Sequence, residues 1–246
     1  MTRRFEGKSA VITDETDGIG LATAKYFVAE GAKVFVTGRR QERLDQAVAA
    51  LGPQATGVQG DVTVQANLDR LYATVEAQVG TLDIMVANAG EAFLARIGEY
   101  TDEVIDQSLN LNMKGTIHTV QKALPLMTRG GAVILHGSIE ALRGSPGLGL
   151  YAATKAALRA FARTWSVELG ERGIRVNLIG TGVVYTAAYE AAGVSLDSAS
   201  AVIPFIPVGR LGTVNEIARA IGFLASEDSS FVTAADLVVD GGQINT

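Results

Sequence analysis

The chain of 246 residues carries 21 basic and 26 acidic side chains, for a formal charge of −5, is 48% hydrophobic and contains no cysteine. The missing thiols exclude a disulfide framework, a thiolate nucleophile and thiolate-built zinc or iron–sulfur sites, and His118 and His136 alone are too few for a poly-histidine metal site. Dispersed Lys and Arg in an acidic chain lack the basic stripe that a phosphate backbone requires, so nucleic acid is excluded as an expected partner.

Short apolar runs rich in β-branched residues predict strands at 10–13, 34–37, 56–60, 84–87, 133–135, 176–179 and 237–239. Between them, apolar residues at helical spacing predict helices over 20–30, 41–51, 65–79, 102–127, 152–171 and 214–225. Strands and helices in alternation imply βαβ crossovers, and the near-continuous apolar character of the strands implies burial on both faces. The expected fold is α/β: a single doubly wound Rossmann domain over 1–246, with a mainly parallel seven-stranded sheet and helices on both faces. The apolar run after Arg3 and Arg4 is too short for an export signal. No stretch of about 18 apolar residues lacks a glycine or a charge, so no membrane span is expected and the expected compartment is the cytoplasm.

Glycine makes up about 11% of the chain, with 28 residues against a usual share near 7%. Strand one runs into Thr13-Asp14-Glu15-Thr16-Asp17-Gly18-Ile19-Gly20, where Gly18 and Gly20 let backbone approach a pyrophosphate and the helix N-terminus offers it unpaired N–H groups. Tyr151 and Lys155 stand four apart at the start of an Ala-rich helix, so both project from one face. An ammonium there lowers a phenolic pKa that begins near 10, which would let tyrosine exchange a proton with an alcohol. Ser138 lies 13 residues before Tyr151, at the end of a strand.

These residues, with Asn112 in Leu111-Asn112-Met113-Lys114-Gly115, resemble the short-chain dehydrogenase/reductase family and its Asn-Ser-Tyr-Lys tetrad. The likeness extends from strand one to Gly242. It implies that Tyr151 gives a proton to a carbonyl oxygen or takes it from an alcohol, that Lys155 assists it and binds the nicotinamide ribose, that Ser138 polarises the oxygen and that Asn112 sustains a proton relay. The implied activity is an NAD(P)-dependent interconversion of a ketone or aldehyde with the corresponding alcohol, by hydride transfer.

The resemblance also implies cofactor contacts at Thr13, Asp17, Gly18, Ile19 and Gly20, at Gly38, Arg39 and Arg40 after strand two, and at Asp61 and Val62 after strand three. It extends them to Asn88, Ala89 and Gly90 after strand four, to Tyr151 and Lys155, and to Gly182, Val184 and Thr186 after strand six. Gly38 stands where an acid would bind the ribose 2′-hydroxyl of NAD(H), and Arg39 follows it. NADP(H) is therefore preferred, with NAD(H) possible. Two departures from the family pattern stand out: Asp14 where the family has glycine, and Thr181 where it has proline. With Glu15 and Asp17, the first loop holds three acids and no base, and a dinucleotide-binding sensor without turnover is the alternative reading. The 187–207 segment corresponds to the family's substrate lid; Tyr185, Tyr189, Phe205 and Ile206 suggest a small apolar carbonyl or alcohol substrate. A homotetramer or homodimer is implied by the resemblance alone. His118, His136 and Trp165 match no family site and read as packing residues.

Overall fold

The computed structural model describes residues 3–14, 17–191 and 193–245. Strand β1 (Ser9–Thr13) leads into α1 (Gly18–Ala29), followed by β2 (Lys33–Gly38), α2 (Gln41–Leu51), β3 (Ala55–Gln59), α3 (Gln65–Val79) and β4 (Leu82–Ala87). The second half contains α4 (Asp102–Leu109), a π-helical segment (Asn110–Gly115), α5 (Thr116–Ala123), β5 (Met127–His136), α6 (Gly149–Glu168) and β6 (Arg175–Thr181). Two short helices, α7 (Ala187–Ala191) and α8 (Leu196–Ser200), precede α9 (Val214–Ala225) and β7 (Asp236–Val239). The strands lie in the order β3-β2-β1-β4-β5-β6-β7, and every pair is parallel.

Parallel strands joined by crossovers have both faces covered, and β1 is accordingly buried along its whole length. On one face Val11, Phe35, Leu135 and Val176 pack with Leu68 and Leu71 of α3 and Leu158 of α6. On the other, Ile12, Val34 and Ile134 pack with Phe27 of α1 and Ile217 and Ile221 of α9. Helices α1 and α9 approach closely because Gly222 leaves room for the Tyr26 ring; a Cβ there would meet a ring carbon at 2.3 Å. Helix α9 begins in a reciprocal capping box between Thr213 and Glu216, clamped further by Arg210.

The strand order reverses direction between β1 and β4, and there the carboxyl ends of neighbouring strands leave a crevice. The sequence-predicted strands and their order in the chain agree with this sheet. The long helix expected over 102–127 is instead α4, the π-helical segment and α5, and it stops at Ala123 because β5 already begins at Met127. The wider π turn holds Asn112, which is fully buried. In the segment expected as a lid, α7, α8 and a 3₁₀ turn at Ile203–Phe205 leave Phe205 exposed and Ile206 buried.

Gly137 sets the spacing at the end of β5. Its N–H donates to the Ile179 carbonyl at 2.7 Å, and an added Cβ would lie 2.3 Å from a Leu178 methyl carbon. Gly137→Ala is expected to cost about 1–3 kcal/mol by overpacking. Urea unfolding measures this; an unchanged midpoint would show that β5 and β6 separate freely.

Candidate active site

At the end of β1, Thr13 Oγ1 accepts from the N–H groups of Asn88 and Ala89 at 3.1 and 3.2 Å. Asn88 returns the contact, its amide nitrogen donating to the carbonyls of Thr13 and Asp14 at 3.1 and 3.0 Å. With both amide hydrogens engaged, Asn88 Oδ1 is an acceptor and lies 2.7 Å from His136 Nδ1. The histidine must therefore carry its proton on Nδ1, leaving Nε2 to accept from the Thr181 hydroxyl at 3.3 Å. Burial, reinforced by the nearby Lys155 charge, lowers the His136 pKa to about 3, so this neutral tautomer persists. A polar chain thus ties the carboxyl ends of β1, β4, β5 and β6. Thr181, which stands in place of the family's proline, supplies its last link.

The carbonyl of the same histidine accepts from Lys155 Nζ at 2.6 Å. Lys155 is 2% exposed, and burial lowers its pKa to about 8. Its ammonium stands 5.5 Å from the centre of the Tyr151 ring, one turn away on α6. The expected lowering of the Tyr151 pKa is not found. Burial pushes it up to about 12, opposed by a hydrogen bond with Ser138 and reinforced by Tyr189 and Glu140. The helical spacing predicted the proximity correctly, but desolvation outweighs what the ammonium contributes, and Tyr151 rests as a neutral phenol.

Asn112 fastens the loop after β4. Its Oδ1 accepts from the Glu91 N–H and its Nδ2 donates to the Glu91 carbonyl, both at 2.9 Å. The same Nδ2 reaches Thr154 Oγ1 at 3.3 Å, so the π-helical segment, the β4 loop and α6 meet at one amide. Gly90 packs tightly between them: an added Cβ would lie 3.0 Å from Lys155 Nζ and 3.2 Å from Asn112 Oδ1. Asn112, Ser138, Tyr151 and Lys155 therefore converge, through direct contacts or a single intermediary, beside the switch point.

A cleft adjoins this cluster, lined by Gly38, Arg39, Asp61, Val62, Ala89 and Gly90 among the expected residues, and also by Asp14, Thr37, Gly60, Glu91 and Leu111. Arg40 precedes α2 and is exposed outside that lining. Asp61 turns its carboxylate onto Thr63, accepting from its N–H and hydroxyl. Gly18 opens α1 at φ 61°, with the Thr186 methyl packed over it, while Ile19 packs into the core and Gly20 is buried. Gly182 backs onto Asp240, and Val184 is buried and bridged to Gly212.

Of the acids in the first loop, Asp17 is paired. Asp17 makes no side-chain cap on α1; its carboxylate pairs with Arg43 of α2 at 3.2 Å. Glu91 faces Arg39 at 3.9 Å. Asp14 takes a positive φ of 58°, a conformation Asp tolerates better than most residues, and desolvation raises its carboxyl pKa against the pull of Arg39. Glu15 lies outside the described residues. An uncapped helix start, a positive-φ glycine and the pairing of Asp17 with Arg43 fit a bound pyrophosphate.

Of the residues read as packing, Trp165 stacks on Phe161 at 4.8 Å and His118 meets Gln65 at the protein's edge. His136 was misread. Its position two residues before Ser138 was the available signal, but its pairing with Asn88 and Thr181 depends on strand order. No group of three or more His, Cys, Asp or Glu side chains that would hold a metal ion occurs among the described residues. None of their helices is long and apolar enough to cross a membrane.

Residues 14–243 match the family model described as enoyl-(acyl carrier protein) reductase. The chain is 47% identical to oxidoreductase asL5 of Sarocladium schorii over 98% of its length and 97% of that protein. It is 36% identical to human dehydrogenase/reductase SDR family member 4, over 98% of this chain and 90% of that one. A solved short-chain dehydrogenase/reductase family protein superposes with a TM-score of 0.88 at 36% identity, covering 99% of this chain and all of the other.

The neutral His136 has a sign-definite consequence. Its folded pKa of about 3 lies below the ordinary 6.5, so between those values the unfolded chain binds more protons, and stability is lost as pH falls through that window. His136→Gln keeps a donor and an acceptor without titrating. Urea midpoints should show wild type losing stability relative to this variant between pH 7 and pH 4; a constant difference would contradict the neutral assignment.

Proposed function

The chain belongs to the short-chain dehydrogenase/reductase family of nicotinamide-dependent oxidoreductases, and from that premise we propose that it reduces a ketone or aldehyde to the alcohol, or runs the reverse reaction, with Tyr151 as proton donor and acceptor. The observation that carries this reading is the convergence of the Tyr151 phenol, Ser138 and a buried Lys155 near a cleft at the carboxyl ends of the strands. When bound, the cofactor supplies or accepts the hydride.

The chain's own residues do the rest. The uncapped N-terminus of α1 and Gly18 receive the pyrophosphate, and Asp61, Val62, Ala89 and Gly90 line the adenosine side. Arg39 is the group that would take a ribose 2′-phosphate, exchanging its weak pairing with Glu91 for a stronger charge-assisted one. NADP(H) is accordingly the proposed preference. Lys155 offers its ammonium to ribose hydroxyls, and Asn112 holds the loop against which they sit. Ser138 positions the substrate oxygen. Tyr151, held by burial as a neutral phenol, is in the protonation state that gives a proton to a carbonyl oxygen.

Loop Gly182, Val184 and Thr186 would close over the nicotinamide end, steadied at its base by Thr181 and His136. Assembly into a dimer or tetramer is part of the same proposal and rests on the family resemblance. A cytoplasmic location is part of the same proposal.

Fluorescence titration with NADPH and NADH, followed by ketone reduction, tests the reading on three proteins. Wild type should bind and turn over. Tyr151→Phe should bind nucleotide equally and lose turnover by about 100- to 10,000-fold. Arg39→Ala should weaken NADPH by about 10- to 100-fold while sparing NADH. Binding without turnover across a broad panel would favour the sensor reading. No binding of either nucleotide would end the reductase proposal.

A further inference from the structure

Two residues past Ser138, Glu140 is 8% exposed. Its backbone N–H donates to Ser138 Oγ at 3.1 Å, which ties it to the same oxygen that meets the Tyr151 phenol. One carboxylate oxygen, Oε1, accepts from Nε and Nη2 of Arg143 at 2.9 and 2.5 Å. The other, Oε2, is buried and has no hydrogen-bond partner. The Glu140 charge raises the pKa of both Tyr151 and Tyr189. Tyr189 belongs to α7 in the 187–207 segment, and its ring lies 5.7 Å from that of Tyr185. Glu140 is thus fastened to Ser138 through its backbone, and its second carboxylate oxygen, closed off from solvent, is left without a donor.

A buried acceptor without a donor is costly, and a ligand that brings the donor removes that cost. The charge balance decides what kind of donor. Arg143 already compensates the carboxylate, so an ammonium would leave one cation unmatched in a buried place. A neutral O–H completes the oxygen without adding charge.

We propose that Glu140 determines specificity by accepting, through Oε2, a hydrogen bond from a hydroxyl group of the substrate, so that the site prefers hydroxyketones and the corresponding diols to simple ketones. The inference rests on the carbonyl-reducing reading and replaces the expectation of a purely apolar substrate. That expectation came from Tyr185, Tyr189, Phe205 and Ile206. Phe205 in fact projects outward with 62% exposure, and a buried carboxylate adjoins Ser138.

The test compares matched pairs: hydroxyacetone with acetone, and hydroxycyclohexanone with cyclohexanone. Wild type should show a kcat/KM about 10- to 100-fold higher for the hydroxylated member. Glu140→Leu should erase that preference, chiefly through KM, with a smaller loss of turnover on the plain ketones than on the hydroxylated ones. Nucleotide binding and thermal unfolding of the variant establish that it is folded. Equal kcat/KM for the two members in wild type would overturn the assignment and leave the reductase reading intact. Equal loss on both members in a folded, nucleotide-binding Glu140→Leu would overturn it likewise. Failure of wild type to reduce any of the four would remove the reductase reading and this inference with it.

Discussion

A charged ammonium nine-tenths or more removed from water must have partners, and Lys155 draws its partner from the backbone. Its Nζ donates to the His136 carbonyl at 2.6 Å. An isolated buried charge is costly, so the end of β5 cannot move without exposing that cost. This contact fixes the end of β5, so that Ser138, two residues on, stands where it meets the Tyr151 phenol, and it leaves little room for a side chain at Gly90. Lowering the Lys155 pKa to about 8 leaves it mostly protonated at neutral pH, close to the point where it would lose that charge.

The second constraint is the polar chain from Thr13 through Asn88 and His136 to Thr181. It crosses four strands at their carboxyl ends, where the sheet's order reverses and a ligand crevice forms. A threonine where the family has proline adds a backbone donor and a hydroxyl, and here the hydroxyl is used by His136. The departure from the family pattern is thus matched by a second residue rather than left as a loosened loop. Asp17 of the first loop is accommodated in the same way, by Arg43 reaching across from α2.

What could be read in the sequence was what depends on local pattern. Alternating β-branched and helical runs located the seven strands, since burial on both faces leaves them continuously apolar. Tyr151 and Lys155 shared a face because they lie one turn apart. What could not be read depended on depth and on distant partners. Desolvation reverses the expected shift of Tyr151, and no spacing rule reports depth. The π-helical segment around Asn112 looks like ordinary helix in its periodicity. Asp17 and Arg43 are 26 residues apart, and the His136 pairings need β4, β5 and β6 to be neighbours. Glu140 gives no signal in the sequence, because a single acid after a serine resembles any exposed turn residue, yet it is buried.

The account turns on Tyr151 being a neutral phenol until it gives up its proton, with Lys155 as the nearby charge. Ultraviolet difference titration of wild type against Tyr151→Phe, following tyrosinate absorbance, measures this directly. With Tyr151 held at about 12, the two proteins should give the same tyrosinate signal from pH 6 to pH 10. An extra ionisation in wild type centred near pH 7 to 8 would show that the ammonium outweighs burial, and would contradict the proton assignment.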